Sequence, residues 1–202
     1  FESFGEDPLL QSALVAPEVR AIQAHGVVVC IKHFILNNQE HQRSTIDVVA
    51  DERTLQEVYL PPFTAAVQEG GAGSVRGSYN RIDGAYACAN PHVLTSILRE
   101  QLGFRGSVMS DFFANPETVA SAQAGLDWEL GLKEWGPKLS AAVAGGALPV
   151  ATLDEMVRRI LRPVLGLGLA AQPHDRLPIP VDAHGDVALA VAEQAIVLLK
   201  NE

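Results

Sequence analysis

Strand-length apolar runs alternate with helix-length amphipathic segments along most of the chain, and each run leads into polar residues. Val27–Ile31 runs into Lys32 and His33, Gly73–Ser78 into Tyr79 and Asn80, and Ser107–Ser110 into Asp111; a fourth run, Leu126–Leu130, carries Asp127 and Glu129. Near-continuous apolar runs are what strands covered on both faces require, as in a parallel sheet. Between them, Pro8–Gln23 predicts a helix kinked at Pro17. Asp51 predicts the cap of a helix through Val58, with a break at Pro61–Pro62 before a further helical stretch, Phe63–Glu69. Asn90–Pro91 predicts an N-cap and first-turn proline for a helix ending near Leu102–Gly103, and Asn115–Pro116 repeats the signal for a helix to Ala124. Thr152-Leu153-Asp154-Glu155 matches a capping box that opens a helix through Leu165.

Strands alternating with helices at this density predict βα units and a parallel sheet, hence an α/β fold. Four units without a Gly-rich GxGxxG turn fit half of a (β/α)8 TIM-type barrel better than a dinucleotide-binding fold. In such a barrel the C-terminal ends of all strands meet on one face. Lys32, His33, Tyr79 and Asp111, remote in sequence, are therefore expected to converge in one pocket. Nearby cations favour the ionised form of an Asp. An ionised carboxylate can attack the anomeric carbon of a sugar, while Lys and His donate hydrogen bonds to its hydroxyls.

Composition narrows the field by exclusion. The net charge of −9 over 202 residues disfavours nucleic acid, whose binders need a basic stripe. No apolar run approaches the roughly 18 to 20 residues of a membrane span, so no membrane partner is expected. Cys30 and Cys88 are the two cysteines, with no CxxC or Cys/His spacing, so neither a zinc site nor a disulfide framework is expected, and Cys30 reads as a small core residue. Gly70-Gly71-Ala72-Gly73 precedes a strand-like run instead of opening a helix, which speaks against a phosphate site.

The motifs themselves carry a resemblance. Phe1-Glu2-Ser3-Phe4-Gly5-Glu6-Asp7-Pro8, Lys32-His33-Phe34 with Asn38-Gln39-Glu40 and Arg43, Ser78-Tyr79-Asn80, and Ser110-Asp111 resemble the family 3 glycoside hydrolases, most of all the β-glucosidase type. The similarity runs from Phe1 to about Leu169 and resumes in Glu193–Glu202. It implies a partial (β/α) barrel over 1–170, a linker over 171–185, and the start of a second, α/β sandwich domain over 186–202. It also implies a retaining exo-β-glycosidase acting on a β-glucoside or short β-linked oligosaccharide, with no cofactor. Asp111 matches the family's nucleophile. Lys32 and His33 match the pair that binds hydroxyls of the terminal sugar, Arg43 an arginine of the same subsite, and Tyr79 a tyrosine beside the nucleophile.

The departures from the pattern are as informative. Arg76 stands where the family usually has Met, with a side chain that either enters the pocket or points away. Phe112 replaces the Trp that commonly follows the nucleophile and forms an aglycone platform. Both ends of the chain are expected to be cut, leaving compartment unread and placing the general acid/base beyond Glu202. Retaining chemistry needs two carboxyl groups about 5 to 5.5 Å apart, so these 202 residues alone are expected to be inactive. A β-xylosidase or a catalytically dead carbohydrate-binding relative fits the same motifs. The Ile35-Leu36-Asn37-Asn38 loop speaks against an N-acetylhexosaminidase. Glu40 is expected either to orient its loop or to pair with Arg43, and Asp127 and Glu129 to serve structure.

Overall fold

The structure, a computed structural model, describes residues 3–171 and 178–202. The chain divides into two compact units, Phe1–Ala170 and Ala171–Glu202. The first begins with α1 (Pro8–Ala24), β1 (Cys30–Phe34) and β2 (Asp47–Val48). A long helical run follows, made of α2 (Glu52–Thr54), a π-helical turn at Leu55–Tyr59, α3 (Leu60–Thr64) and a second such turn at Ala65–Glu69. Then come β3 (Ser74–Gly77), β4 (Arg81–Ile82), β5 (Ala85–Tyr86), a π-wound helix at His92–Gln101 and β6 (Ser107–Phe112). The unit closes with α4 (Val119–Ala124), β7 (Trp128–Leu130), α5 (Pro137–Ala144) and α6 (Val150–Gly166).

Four strands form one all-parallel sheet in the order β1-β3-β6-β7. Each new strand joins at the same edge, so the sheet winds one way. A doubly wound sheet reverses direction at a switch point, whereas this progression is that of a (β/α) barrel. The unit is part of such a barrel. The helices cover the outward face, where Val75, Val108, Leu94, Leu98 and Leu126 are fully buried.

The sheet ladder corrects two expected boundaries. β1 lies three residues later than the apolar run, because its register is set by β3: Cys30 pairs with Ser74, Ile31 with Val75 and Phe34 with Gly77. Lys32 and His33 are therefore in the strand and not after it. β6 likewise extends through Phe112, with Asp111 inside it. The peptide bonds Lys32–His33 and Phe34–Ile35 are cis.

The prolines behave differently from expectation. α1 continues through Pro17, with Ala16 and Val19 buried on either side of it. The run at Glu52–Glu69 also passes through Pro61–Pro62 without a break. Two prolines remove the N–H groups that would reach Glu57 and Val58 in regular winding. The helix widens just before them, and Leu60 N–H donates to Leu55 O, five residues back. Buried Leu55, Leu60, Ala65 and Ala66 hold the distorted helix in place.

Other ends follow local chemistry. Asn90 Oδ1 accepts from His92 N at 3.0 Å and Val93 N at 3.3 Å, as its cap position predicts. The helix expected after Asn115–Pro116 begins only at Val119. The expected capping box at Thr152 is not one: Pro149, in extended geometry, caps α6 three residues earlier, which leaves Thr152 inside the helix. α5 and a small sheet of order β2-β4-β5 had no counterpart in the sequence reading.

The second unit contains α7 (Val181–Ala195), which starts after Pro180 and so takes in the last part of the expected linker. The rest of that linker, 172–177, lies outside the described residues, as do Phe1 and Glu2 of the opening motif. Ile196 is extended, yet Ile196–Leu199 joins no sheet among the described residues; a strand is defined by a hydrogen-bonded neighbour, which apolar character alone does not supply.

Candidate active site

Alternation along the strands builds the site. Successive side chains point to opposite faces, so Ser110 and Asp111 diverge, as do Ser78 and Tyr79. The serines and Asn80 act as clamps. Ser110 Oγ accepts from Leu130 N at 3.0 Å, tying β6 to β7. Ser78 Oγ and Asn80 Nδ2 both donate to Ile35 O, at 2.9 and 3.2 Å, tying the end of β3 to the end of β1. Their neighbours Asp111 and Tyr79 are left for the other face.

Asp111 is 5% exposed. Its Oδ1 accepts from Phe112 N at 2.7 Å, and His33 places Nε2 3.0 Å from Oδ2. The Tyr79 hydroxyl is turned toward the same carboxylate, near enough for the two to interact. Burial pushes the Tyr79 hydroxyl up from its usual range, and the Asp111 charge adds to this, while Arg43 and Arg76 oppose it. The phenol thus stays protonated and able to donate. Arg43 stacks its guanidinium on the Tyr79 ring, 4.2 Å from the centroid, and pairs with Glu40. Arg76 enters the site, with Nη1 3.7 Å from Asp111 Oδ1. That settles the choice between its two orientations. Lys32 is exposed, and its charge, like that of Arg76, reaches the Cys30 thiol.

The structure therefore brings His33, Tyr79 and, through Tyr79, Arg43 onto Asp111. Arg76 was set apart in the sequence as a departure, and its register with Met109 carries it inward. Cys30 is half-buried on this side instead of in the core, and burial raises its thiol pKa, opposed first by its hydrogen bond with Ser74 and then by Arg76 and Lys32. Behind Asp111, Cys88 is fully buried, and burial pushes its thiol up to about 12, so it packs as a neutral group.

Residues the sequence reading passed over flank the site. A cavity of about 190 Å³ beside Tyr79 is lined by Ser44, Tyr86, Phe113, Asn115 and Lys133 among others. Phe113 has φ +59°, a conformation a bulky residue seldom adopts. Its ring lies over Gly131, where an added Cβ would meet Phe113 Cδ1 at 2.7 Å. The signal for the β4–β5 hairpin on this rim was Asp83-Gly84: both have positive φ, as an Asp-Gly type I′ turn requires. A larger cavity, about 320 Å³, is lined by Gly73, Gly106 and Arg162 among others. Gly73 and Gly106 precede β3 and β6, so it belongs to the opposite, N-terminal face. Among the described residues no three His, Cys, Asp or Glu side chains group as a metal site.

Comparison with known proteins places this arrangement. The model of the glycosyl hydrolase family 3 N-terminal domain matches residues 1–163. The whole chain aligns with a probable beta-glucosidase L of Aspergillus terreus at 43% identity, covering 30% of that protein, and with a beta-glucosidase of Rhizobium radiobacter at 40%, covering 25%. Among solved structures, the beta-D-glucoside glucohydrolase of Trichoderma reesei superposes with a TM-score of 0.93 at 38% identity, over 100% of this chain and 30% of that one. Beta-glucosidase 3B of Thermotoga neapolitana, in complex with alpha-D-glucose, superposes at 0.86 and 33% identity, over 98% of this chain and 29% of that one. The chain thus spans about a quarter to a third of the length of these relatives. Since the family match runs through the sheet and through every strand end that carries the site, the chain belongs to glycosyl hydrolase family 3.

Proposed function

We propose that these residues form the nucleophile-bearing part of a retaining exo-β-glucosidase. It removes non-reducing terminal β-linked glucose from β-glucosides or short β-linked oligosaccharides. The observation that carries this reading is Asp111. It is a buried carboxylate at the C-terminal end of a barrel strand, aligned by the Phe112 N–H and by His33 Nε2. In the first step one Asp111 oxygen bonds to the anomeric carbon while the bond to the aglycone oxygen breaks. A second carboxyl group protonates that oxygen, then deprotonates the water that releases glucose. That second group is assigned to the second domain, which opens near Asp186, in its part beyond Glu202; the greater length of the relatives supports this.

The other residues divide the remaining work. Tyr79 donates to Asp111 and holds its carboxylate plane. Lys32 and His33 donate to sugar hydroxyls, contacts that strengthen as the ring flattens toward an oxocarbenium ion. Arg43, fixed by Glu40 and by the Tyr79 ring, lines the same subsite.

The test is mass spectrometry of the full-length enzyme after reaction with a 2-deoxy-2-fluoro-β-glucosyl fluoride. The peptide containing Asp111 is expected to carry the label, and a label on any other residue overturns the assignment. Comparing kcat/KM on aryl β-glucoside and aryl β-xyloside separates the glucosidase from a xylosidase. Binding without turnover of either would identify a catalytically dead relative.

A further inference from the structure

Arg76 is a cation that the proposed chemistry leaves without a task. It sits in β3, paired in register with Met109 of β6, two residues before Asp111. Residues two apart on a strand share a face, which is how Arg76 comes to reach Asp111. Its Nη1 lies 3.7 Å from Oδ1, the oxygen that already accepts from Phe112 N at 2.7 Å. Its Nε is buried with no hydrogen-bond partner. Desolvating a guanidinium donor is costly unless something offsets it, and the facing charge is the carboxylate of Asp111.

We infer that Arg76 is a positioning residue that sets how the reaction divides between its two half-steps, by stabilising the charged form of Asp111. This rests on the reading of Asp111 as nucleophile. In the first half-step an Asp111 oxygen forms a bond to the anomeric carbon, the aglycone C–O bond breaks, and the aglycone oxygen takes a proton from the acid/base. The carboxylate charge is lost into an ester, and the attraction of Arg76 is lost with it. In the second half-step water bonds to the anomeric carbon and gives its proton to the base. The C–Oδ bond breaks, and the electron pair returns to Asp111 beside Arg76. A fixed cation therefore slows formation of the glycosyl-enzyme and speeds its hydrolysis. For a partly exposed pair at this distance, each change should be about fivefold, equivalent to about 1 kcal/mol.

The experiment measures two rates on the full-length enzyme with 2-deoxy-2-fluoro-β-glucosyl fluoride: covalent inactivation, and reactivation after excess reagent is removed. Wild type is compared with Arg76→Gln and Arg76→Met, which remove the charge, and Arg76→Lys, which keeps it. Both neutral variants should inactivate about fivefold faster and reactivate about fivefold slower, while the Lys variant stays near wild type in both. Rates that are unchanged, that move together, or that are shifted equally in the Lys variant would overturn the proposal. So would failure of both neutral variants to fold, since Arg76 would then be structural. A wild-type label away from Asp111 would defeat the nucleophile assignment itself. A label on Asp111 with undivided rates would defeat only the role of Arg76.

Discussion

Two aspartates on neighbouring strand segments of the same sheet are almost equally buried, Asp111 at 5% exposed and Asp127 at 3%, and both face arginines. Their surroundings otherwise differ. Asp127 precedes β7 near the N-terminal end of the sheet. Its Oδ2 accepts from Arg99 Nη2 and Val108 N, each at 2.7 Å, and its Oδ1 from Arg159 Nη1 at 3.3 Å. Burial raises the pKa of this carboxyl on balance, although Arg99, the Val108 N–H and Arg159 each oppose the shift. Every partner is a strong donor from a different element: the His92–Gln101 helix, β6 and α6. Asp111, at the C-terminal end, has one short backbone bond, a histidine at 3.0 Å, the facing Tyr79 hydroxyl and a looser arginine at 3.7 Å. A carboxylate tied by several fixed donors joins elements. One held on its edge by partners that can re-form around an ester is available for chemistry.

The sharpest way to break this contrast is to neutralise each carboxylate in turn, in the full-length enzyme. Asp111→Asn should lower kcat/KM on an aryl β-glucoside by at least about a thousandfold. Its melting temperature should stay within a few degrees of wild type. Activity above a few per cent would remove Asp111 from the nucleophile role. Asp127→Ala should do the reverse. It leaves the largely buried Arg99 without its facing carboxylate, while Arg159 keeps Glu155, at a cost of about 3 to 5 kcal/mol of stability by denaturant unfolding. Enzyme that remains folded should keep its KM. A stable but inactive Asp127→Ala variant would show that the two carboxylates are not divided in this way.

That division was only partly legible in the sequence. The alternation of apolar runs and helical segments pointed to the barrel, and the polar residues at the ends of those runs included Asp111, His33 and Tyr79, which do converge. What could not be read was anything set by a partner strand. The apolar run Val27–Ile31 marks where the chain is buried, yet the ladder begins at Cys30 because β3 begins at Ser74. The direction of Arg76 depends on its register with Met109, which no local pattern encodes. Pro61–Pro62 read as a break, because local propensity knows nothing of the buried Leu55 and Leu60 that hold a widened helix together. The Asp83-Gly84 turn was a local signal and was legible, though missed.

Tyr79→Phe sharpens the chemical side of the comparison. It deletes one hydroxyl and keeps the ring beneath Arg43. A hydrogen bond to a charged group contributes about 1.5 to 3 kcal/mol. The expected loss is therefore about ten- to a hundredfold in kcat, with stability altered by less than about 0.5 kcal/mol. A loss confined to KM would mean that the hydroxyl meets the sugar and not Asp111.

The smallest effect is expected at the structural end, from Gly106→Ala. An added Cβ there would lie 2.1 Å from Gly73 O and 2.8 Å from the Phe104 ring. One of these neighbours is backbone, at the point where β3 and β6 begin to pair: Ser107 N donates to Gly73 O at 3.2 Å. The methyl group can be accommodated only by prising the two strand starts apart, an overpacking cost of about 1 to 3 kcal/mol. The distortion should fade along the strands, because Val75–Val108 and Arg76–Met109 stay in register above it. Calorimetry should therefore show a lowered melting temperature, while kcat and KM at a temperature well below it stay within about twofold of wild type. A kinetic defect larger than the loss of folded enzyme would mean that strain travels from the N-terminal end of the sheet to Asp111, and that the two ends are less independent than the two aspartates indicate.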